Sequence, residues 1–135
     1  MTHQLYLSLG SNLGNKKKNL EDALSLISDL VGHVCRVSSF IKTEPWGFDS
    51  KNTFLNAACL VETALTPEQC LNITQEIERK LGRTAKSGDG YEDRPIDIDL
   101  LSYDNLNINT PELTLPHPRM HEREFVMIPL QEITH

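Results

Sequence analysis

No stretch of this 135-residue chain comes near the roughly 20 consecutive apolar residues that a membrane-spanning helix needs, and residues 1–9 lack the basic head and apolar run of a secretory signal. A cytoplasmic location is the expectation. Cysteine is scarce. Cys35, Cys59 and Cys70 are odd in number, widely spaced and set in apolar surroundings, which argues against a disulfide framework or a zinc knuckle and makes them expected core thiols. In that compartment the sequon Asn72-Ile73-Thr74, inside a predicted helix, carries no weight as a glycosylation acceptor. Positive charge is short as well, with 13 Lys and Arg against 19 Asp and Glu and a net charge of -6. That balance argues against a nucleic-acid partner, which needs a continuous basic surface. A small anionic ligand can still bind where a few arginines or a metal reverse the local field.

What the chain does have is the length and apolar content, 39%, of one domain with its own core, expected to span residues 1–135 as a monomer. Leu5, Leu7 and Leu9 alternate with Tyr6 and Ser8 and predict a first strand, which the run Gly10 to Gly14 then breaks with a tight turn. Leu20, Ala23, Leu24, Ile27 and Leu30 recur at helical spacing and predict a helix over 15–30, with Gly32 beyond its end. Residues 34–43 and 54–63 read as a pair of strands. Thr66-Pro67-Glu68-Gln69 supplies a cap, a proline at the first helical position and a glutamine at the third, so a second helix should run to Leu81 and end at Gly82. A fourth strand is expected over 96–103, then a turn at Asp104-Asn105 and a short strand over 106–108. The prolines at 111, 116, 118 and 129 predict a tail of loops and short turns without a long helix. Strand, helix, strand, strand, helix, strand is the order of a split βαβ unit, with two helices on one face of an antiparallel sheet. The other face is left for a site, over which the tail can fold.

The sharpest local pattern is Arg94-Pro95-Ile96-Asp97-Ile98-Asp99-Leu100. Strand periodicity puts Asp97 and Asp99 on one face, their α-carbons roughly 7 Å apart, and Ile96, Ile98 and Leu100 on the other. Two like charges side by side on a strand are costly unless a cation offsets them, and hard carboxylate oxygens with room for water and phosphate suit magnesium. The alternative is a solvated acidic face. Arg83, Lys86 and Arg94 lie close by in sequence and could clamp a triphosphate, or form surface ion pairs. Gln75 and Glu78, near the end of the second helix, offer polar groups to a nucleotide, although alone they read as solvent-facing helix residues.

Aromatics make up only 6% of the chain, which draws attention to Trp46 and Phe48 in one loop. Phe54 and Asn56 share a strand face and pair a flat plate with an amide, an arrangement that suits a planar heterocycle, and Phe125 could supply a second plate. A core Phe is the plainer reading. His117 and His121 stand at i and i+4, but third and fourth zinc ligands are not evident. Arg119, Arg123 and His117 more simply make a phosphate-facing patch. The loops at 44–53 and 85–93, long and polar or glycine-rich, are expected to close over bound substrates.

Taken in order, Gly10-Ser11-Asn12-Leu13-Gly14, Thr43-Glu44-Pro45-Trp46-Gly47, Phe54-Leu55-Asn56-Ala57-Ala58, Gly82-Arg83, Arg94-Pro95-Ile96-Asp97-Ile98-Asp99 and Leu115-Pro116-His117-Pro118 resemble the 6-hydroxymethyl-7,8-dihydropterin pyrophosphokinase family over nearly the whole chain. The resemblance implies an α+β, ferredoxin-like βαββαβ fold with the site on the helix-free face. It also implies a magnesium-dependent transfer of pyrophosphate from ATP to the pterin's hydroxymethyl group in folate biosynthesis. By the same resemblance Asp97 and Asp99 would hold two Mg2+ ions and Arg83 and Arg94 would assist transfer. Gln75, Glu78, Lys86, Tyr91, Ile98, Thr114, His117 and Arg123 would contact ATP, and Thr43, Pro45, Trp46, Phe54, Asn56 and Phe125 would form the pterin pocket. Tyr91 stands where many members have tryptophan, Glu112 where some have arginine, and Pro118 where some have tyrosine. A rival reading, a ferredoxin-like regulatory module that binds a small ligand without catalysis, has no use for two carboxylates flanked by arginines.

Overall fold

The computed structural model describes residues 1–43, 53–82 and 95–134. In chain order these form β1 (His3–Ser11), α1 (Lys16–Leu30), β2 (His33–Val37), β3 (Ile41–Thr43), β4 (Phe54–Thr63), α2 (Pro67–Lys80), β5 (Asp97–Tyr103), β6 (Ile108–Asn109), β7 (Thr114–Leu115), a 3-10 turn at Met120–Glu122 and α3 (Glu124–Ile133). The main sheet runs β2-β4-β1-β5 with β3 also on β4, every pairing antiparallel, and β6 and β7 make a small ribbon apart. The protein is therefore a mixed α/β fold with an antiparallel sheet and three helices. No described helix is long and apolar enough to cross a membrane.

The helix boundaries follow from their caps. Asn15 accepts the Lys18 N–H with its side chain and starts α1, whereas Thr66 and Gln69 exchange side-chain and backbone hydrogen bonds to start α2, with Pro67 at the first turn. Past α2, Gly82 takes φ +97, the left-handed geometry in which glycine carries no Cβ penalty.

Three strand boundaries depart from expectation. β1 does not stop at Leu9: Gly10 and Ser11 continue the ladder, opposite Asn56 and Leu55 of β4, and Gly10 also opposite Asp97 of β5. The predicted strand over 34–43 is two strands along the same edge of β4, because the Ser38 hydroxyl accepts the Ala58 N–H at 2.8 Å while the Ser38 N–H donates to the Ala58 carbonyl at 2.9 Å. A side chain thus takes a ladder position and interrupts the run. The strand expected over 106–108 lies at Ile108–Asn109, since Asp104 (φ 50) and the Leu106 N–H bond to the Tyr103 carbonyl commit the intervening residues to the turn.

Both sheet faces carry core. On one, Leu5, Leu7, Leu9, Ala57, Cys59, Val61, Ile98 and Leu100 meet Leu20, Ala23 and Ile27 of α1 and Ile77 of α2. Each of those fully buried leucines and isoleucines contributes roughly 1.5–3 kcal/mol by leaving water. On the other, Ala58 and Leu101 meet Val126, Leu130 and Ile133 of α3, with Tyr6, Met120, Phe125 and Met127 around them. The tail does fold over the second face, but as a ten-residue helix with Pro129 inside it rather than as turns alone. Burying Val126, Pro129, Leu130 and Ile133 outweighs the one helical hydrogen bond that Pro129 cannot make. A register shift opposite Tyr6 and Leu7 makes Leu101 an extra residue, so Asp97, Asp99 and Leu101 face α3's side while Tyr103 returns to the helix-covered core. Cys59 and Cys70 are buried as expected, and burial pushes the Cys59 thiol up to about 12. Cys35 is only half-buried, on an edge strand that pairs on one side.

Candidate active site

The ladder itself assembles one part of the site. Asp97 stands opposite Gly10, Gly10 opposite Asn56, and Asn56 opposite Ile41, while one row further Asp99 stands opposite Ser8 and Ser8 opposite Ala58. Asp97 and Asp99 are both half-buried and share the face that carries Phe54, Asn56 and Ala58. Two strand spacings, about 10 Å, separate the Asp97 and Asn56 positions. Between them Gly10 leaves the floor clear: a Cβ there would lie 2.9 Å from Asn56 Oδ1 and 3.5 Å from Phe54 Cδ1. Asn56 is 3% exposed and donates from Nδ2 to the Thr43 hydroxyl at 2.5 Å, which fixes the amide plane. Phe54 and Phe125 are half-buried, and Phe125 lies beneath the Arg123 guanidinium at 5.7 Å.

A cleft of about 390 Å³ opens along the edge of β5 that faces away from β1. It is lined by Leu71 and Gln75 from α2, Ile98, Asp99 and Leu100 from β5, Thr114 from β7 and His117 beyond it. Pro111, Glu112, Leu113 and Pro118 complete it. Four of the residues implied as nucleotide contacts, Gln75, Ile98, Thr114 and His117, thus come together there with one carboxylate of the Asp pair. Leu71, Leu100 and Leu113 were missed because an aliphatic at core spacing gives no sign that its flank also walls a cleft.

His117 is anchored by its backbone, whose N–H donates to the Leu101 carbonyl at 2.8 Å, next to the cis Leu115-Pro116 peptide. Its Nδ1 accepts the Arg119 N–H at 3.2 Å, so in the neutral ring the proton resides on Nε2. Arg123 is 6% exposed, and burial pulls its guanidinium below the ordinary arginine value. Glu78 does not line the cleft. It is 4% exposed, one turn beyond Gln75, and its Oε2 accepts the Ile98 N–H at 2.8 Å.

Arg83, Lys86, Tyr91, Arg94, Pro45 and Trp46 lie outside the described residues, as do the two loops expected to close, except for Thr53. Among the described residues no group of three or more His, Cys, Asp and Glu is placed to hold a metal. Two same-face carboxylates beside an open cleft do fit a hard divalent ion that takes one or two carboxylates and completes its shell with water and phosphate oxygens.

Comparison with known proteins bears on the same residues. The family model described as 7,8-dihydro-6-hydroxymethylpterin-pyrophosphokinase matches residues 6–135. Over 131 residues the chain is 50% identical to the 2-amino-4-hydroxy-6-hydroxymethyldihydropteridine pyrophosphokinase of Porphyromonas gingivalis, covering 96% of this chain and 89% of that protein. The Bacillus subtilis protein of the same name is 41% identical over 134 residues, covering 98% of this chain and 79% of that one. Among solved structures, wild-type Plasmodium falciparum HPPK-DHPS with pteroate superposes at a TM-score of 0.81 with 15% identity, covering 98% of this chain. The chain spans 41% of that larger one, and the likeness is one of fold.

Proposed function

This chain belongs to the 7,8-dihydro-6-hydroxymethylpterin-pyrophosphokinase family, pyrophosphokinases of folate synthesis, and from that premise we propose how its residues divide the work. The reaction passes pyrophosphate from ATP to the hydroxymethyl group of 6-hydroxymethyl-7,8-dihydropterin and releases AMP. One observation carries the assignment of parts: the Asp97/Asp99 pair stands between the cleft, to which Asp99 belongs, and the floor made by Gly10, Asn56 and Phe54.

In this reading ATP occupies the cleft, its base against the aliphatic walls of Leu71, Ile98 and Leu100 and its phosphates toward Asp99 and the Nε2–H of His117. Thr114, Gln75 and Arg123 add polar contacts, and Glu78 supports the strand from behind. The pterin lies on Phe54 with its polar edge on the Asn56 amide, which Thr43 holds in place, and Phe125 closes the other side. Pro45 and Trp46 join that pocket, and Lys86, Tyr91, Arg83 and Arg94 join the triphosphate site, on sequence resemblance alone. Asp97 and Asp99 would hold two Mg2+ ions, which when bound offset the triphosphate charge and lower the cost of deprotonating the hydroxymethyl group. The hydroxymethyl oxygen gives up its proton, which passes to solvent, and bonds to the β-phosphorus; the bond from that phosphorus to the oxygen bridging to the α-phosphate breaks, and AMP leaves with that oxygen. No protein nucleophile is required, so the chain's part is to position, to neutralise and to exclude water. We take the fold as ferredoxin-like and residues 1–135 as one domain that acts as a cytoplasmic monomer.

The test is AMP release from ATP and magnesium with and without the pterin, repeated in EDTA. AMP that depends on the pterin and disappears in EDTA is the expected result; ADP, or AMP without pterin, overturns the assignment. The pterin floor has its own check in Gly10→Ala. A Cβ 2.9 Å from Asn56 Oδ1 must displace an amide that Thr43 holds, so the KM for the pterin should rise about tenfold, the equivalent of about 1.4 kcal/mol of binding, with a smaller change in kcat. A variant with an unchanged pterin KM would place the ring elsewhere.

A further inference from the structure

Resting on the reading above, in which Asp97 and Asp99 hold the metal, we propose that Glu78 is a positioning residue for that carboxylate pair. From α2 it grips the backbone N–H of Ile98, the one residue that lies between them. Asp97 is the first residue of β5, and its partner Gly10 is the next to last of β1, so the pair sits at the end of the ladder, where strands fray. β5 is also an edge strand: β1 holds one side of it, and the other faces the cleft at Ile98, Asp99 and Leu100. At that edge the Ile98 N–H is taken by Glu78 Oε2 at 2.8 Å, in a residue only 4% exposed. The N–H of an edge peptide is ordinarily left to water. Here it meets a carboxylate, the stronger kind of acceptor, carried on a helix that is itself packed on the sheet through Ile77.

Ile98 turns its side chain into the helix-covered core, 4% exposed, while its neighbours turn theirs to the opposite face. Holding the Asp97–Ile98 peptide therefore fixes the Asp97 Cα directly and steadies the Asp99 Cα one residue further on, and with them the spacing of the two carboxylates. Groups that orient metal ligands in this way commonly govern metal affinity as strongly as some ligands do. Glu78 thus acts on the metal through the strand, and its carboxylate needs no contact with the nucleotide.

Reach and charge can be separated. Glu78→Asp keeps the charge but retracts the carboxylate by about 1.5 Å, one carbon–carbon bond, and loses the Ile98 N–H; Glu78→Gln loses the charge but keeps an oxygen at the same reach. The experiment is Mn2+ binding, read by electron paramagnetic resonance, to the protein with a non-hydrolysable ATP analogue. Ile98 amide exchange by NMR and analogue affinity in EDTA accompany it. We expect Glu78→Asp to weaken Mn2+ binding about tenfold and to speed Ile98 exchange, and Glu78→Gln to stay within about threefold of the native protein. Analogue affinity in EDTA should be unchanged in both. The reverse order, an equal loss of analogue affinity in EDTA, or native Mn2+ binding in Glu78→Asp overturns the proposal. Asp97→Ala serves as the control. Native Mn2+ binding in that variant would sink the metal assignment and this inference together, whereas loss there with none in Glu78→Asp sinks this inference alone.

Discussion

Asp97→Ala is expected to lower pterin-dependent AMP formation by about 10³-fold or more, the equivalent of some 4 kcal/mol of transition-state stabilisation, in a protein that remains folded. The fold should tolerate the change because Asp97 contributes its backbone, not its side chain, to the ladder with Gly10, and its side chain points away from the helix-covered core. Catalysis has no such tolerance. With one carboxylate the hard-donor set beside the cleft is halved, and the triphosphate must be neutralised by the remaining groups alone. Asp99→Ala should fall similarly, and the double variant should be little worse than either, since the two act as a unit. Turnover near the native rate in a folded Asp97→Ala protein would mean that the pair is the solvated acidic face that strands commonly present.

That pair was legible because it rests on strand periodicity, a rule that needs only the neighbouring residues. The capping box of α2 was legible for the same reason: Thr66, Pro67 and Gln69 interact within a single turn. What the sequence hid depends on partners distant along the chain. Gly10 reads as a strand breaker, yet it belongs to β1 because Asn56 and Phe54 cross over it from β4 and leave no space for a Cβ. Ser38 divides a predicted strand through a bond to Ala58, 20 residues away. Pro129 argues against a helix, and only the apolar face of Ala58 and Leu101 shows why α3 forms over it.

The site followed the same division. Gln75 and His117 were singled out from the residues and Thr114 through resemblance, but their meeting with Leu71, Leu100 and Leu113 around one cleft is a product of α2, β5 and the β6–β7 ribbon converging. Glu78 shows the limit most plainly. On α2 by itself it reads as a solvent-facing residue, and its near-complete burial against the Ile98 peptide follows from how α2 lies on the edge of β5. Local rules found the chemistry-bearing groups; which of them face the cleft and which stand behind it is a tertiary fact.

Gly32→Ala should be the most damaging single-methyl change to stability, about 3 kcal/mol, with a melting temperature lower by roughly 10 °C. From the sequence, Gly32 reads only as the glycine beyond the end of the first helix. In the structure the described residues with positive φ are Gly14, Gly82 and Asp104, and Gly32 is required for space. An added Cβ would overlap the Glu62 carbonyl oxygen and stand 2.9 Å from that carbonyl carbon and 3.0 Å from the Thr63 α-carbon. Those are backbone atoms of the central strand β4, which cannot rotate aside as a side chain could. The surroundings hold the contact closed. The Gly32 N–H bonds to the Ile27 carbonyl at 3.2 Å, the Thr63 hydroxyl donates to the Val31 carbonyl at 2.6 Å, and His33 pairs with Glu62 one residue on. To admit the methyl, α1 must lift from the strand that packs beneath Ile27 and Val31, both in the main core. Gly82→Ala gives the contrast, because among the described residues nothing lies within 4 Å of a Cβ at Gly82 while its φ is +97, and its cost should be about 1 kcal/mol from conformation alone. Denaturant melts of the two variants decide the point: a Gly32→Ala protein as stable as Gly82→Ala would show that α1 and β4 can part without loss and that the close approach is not what sets this glycine.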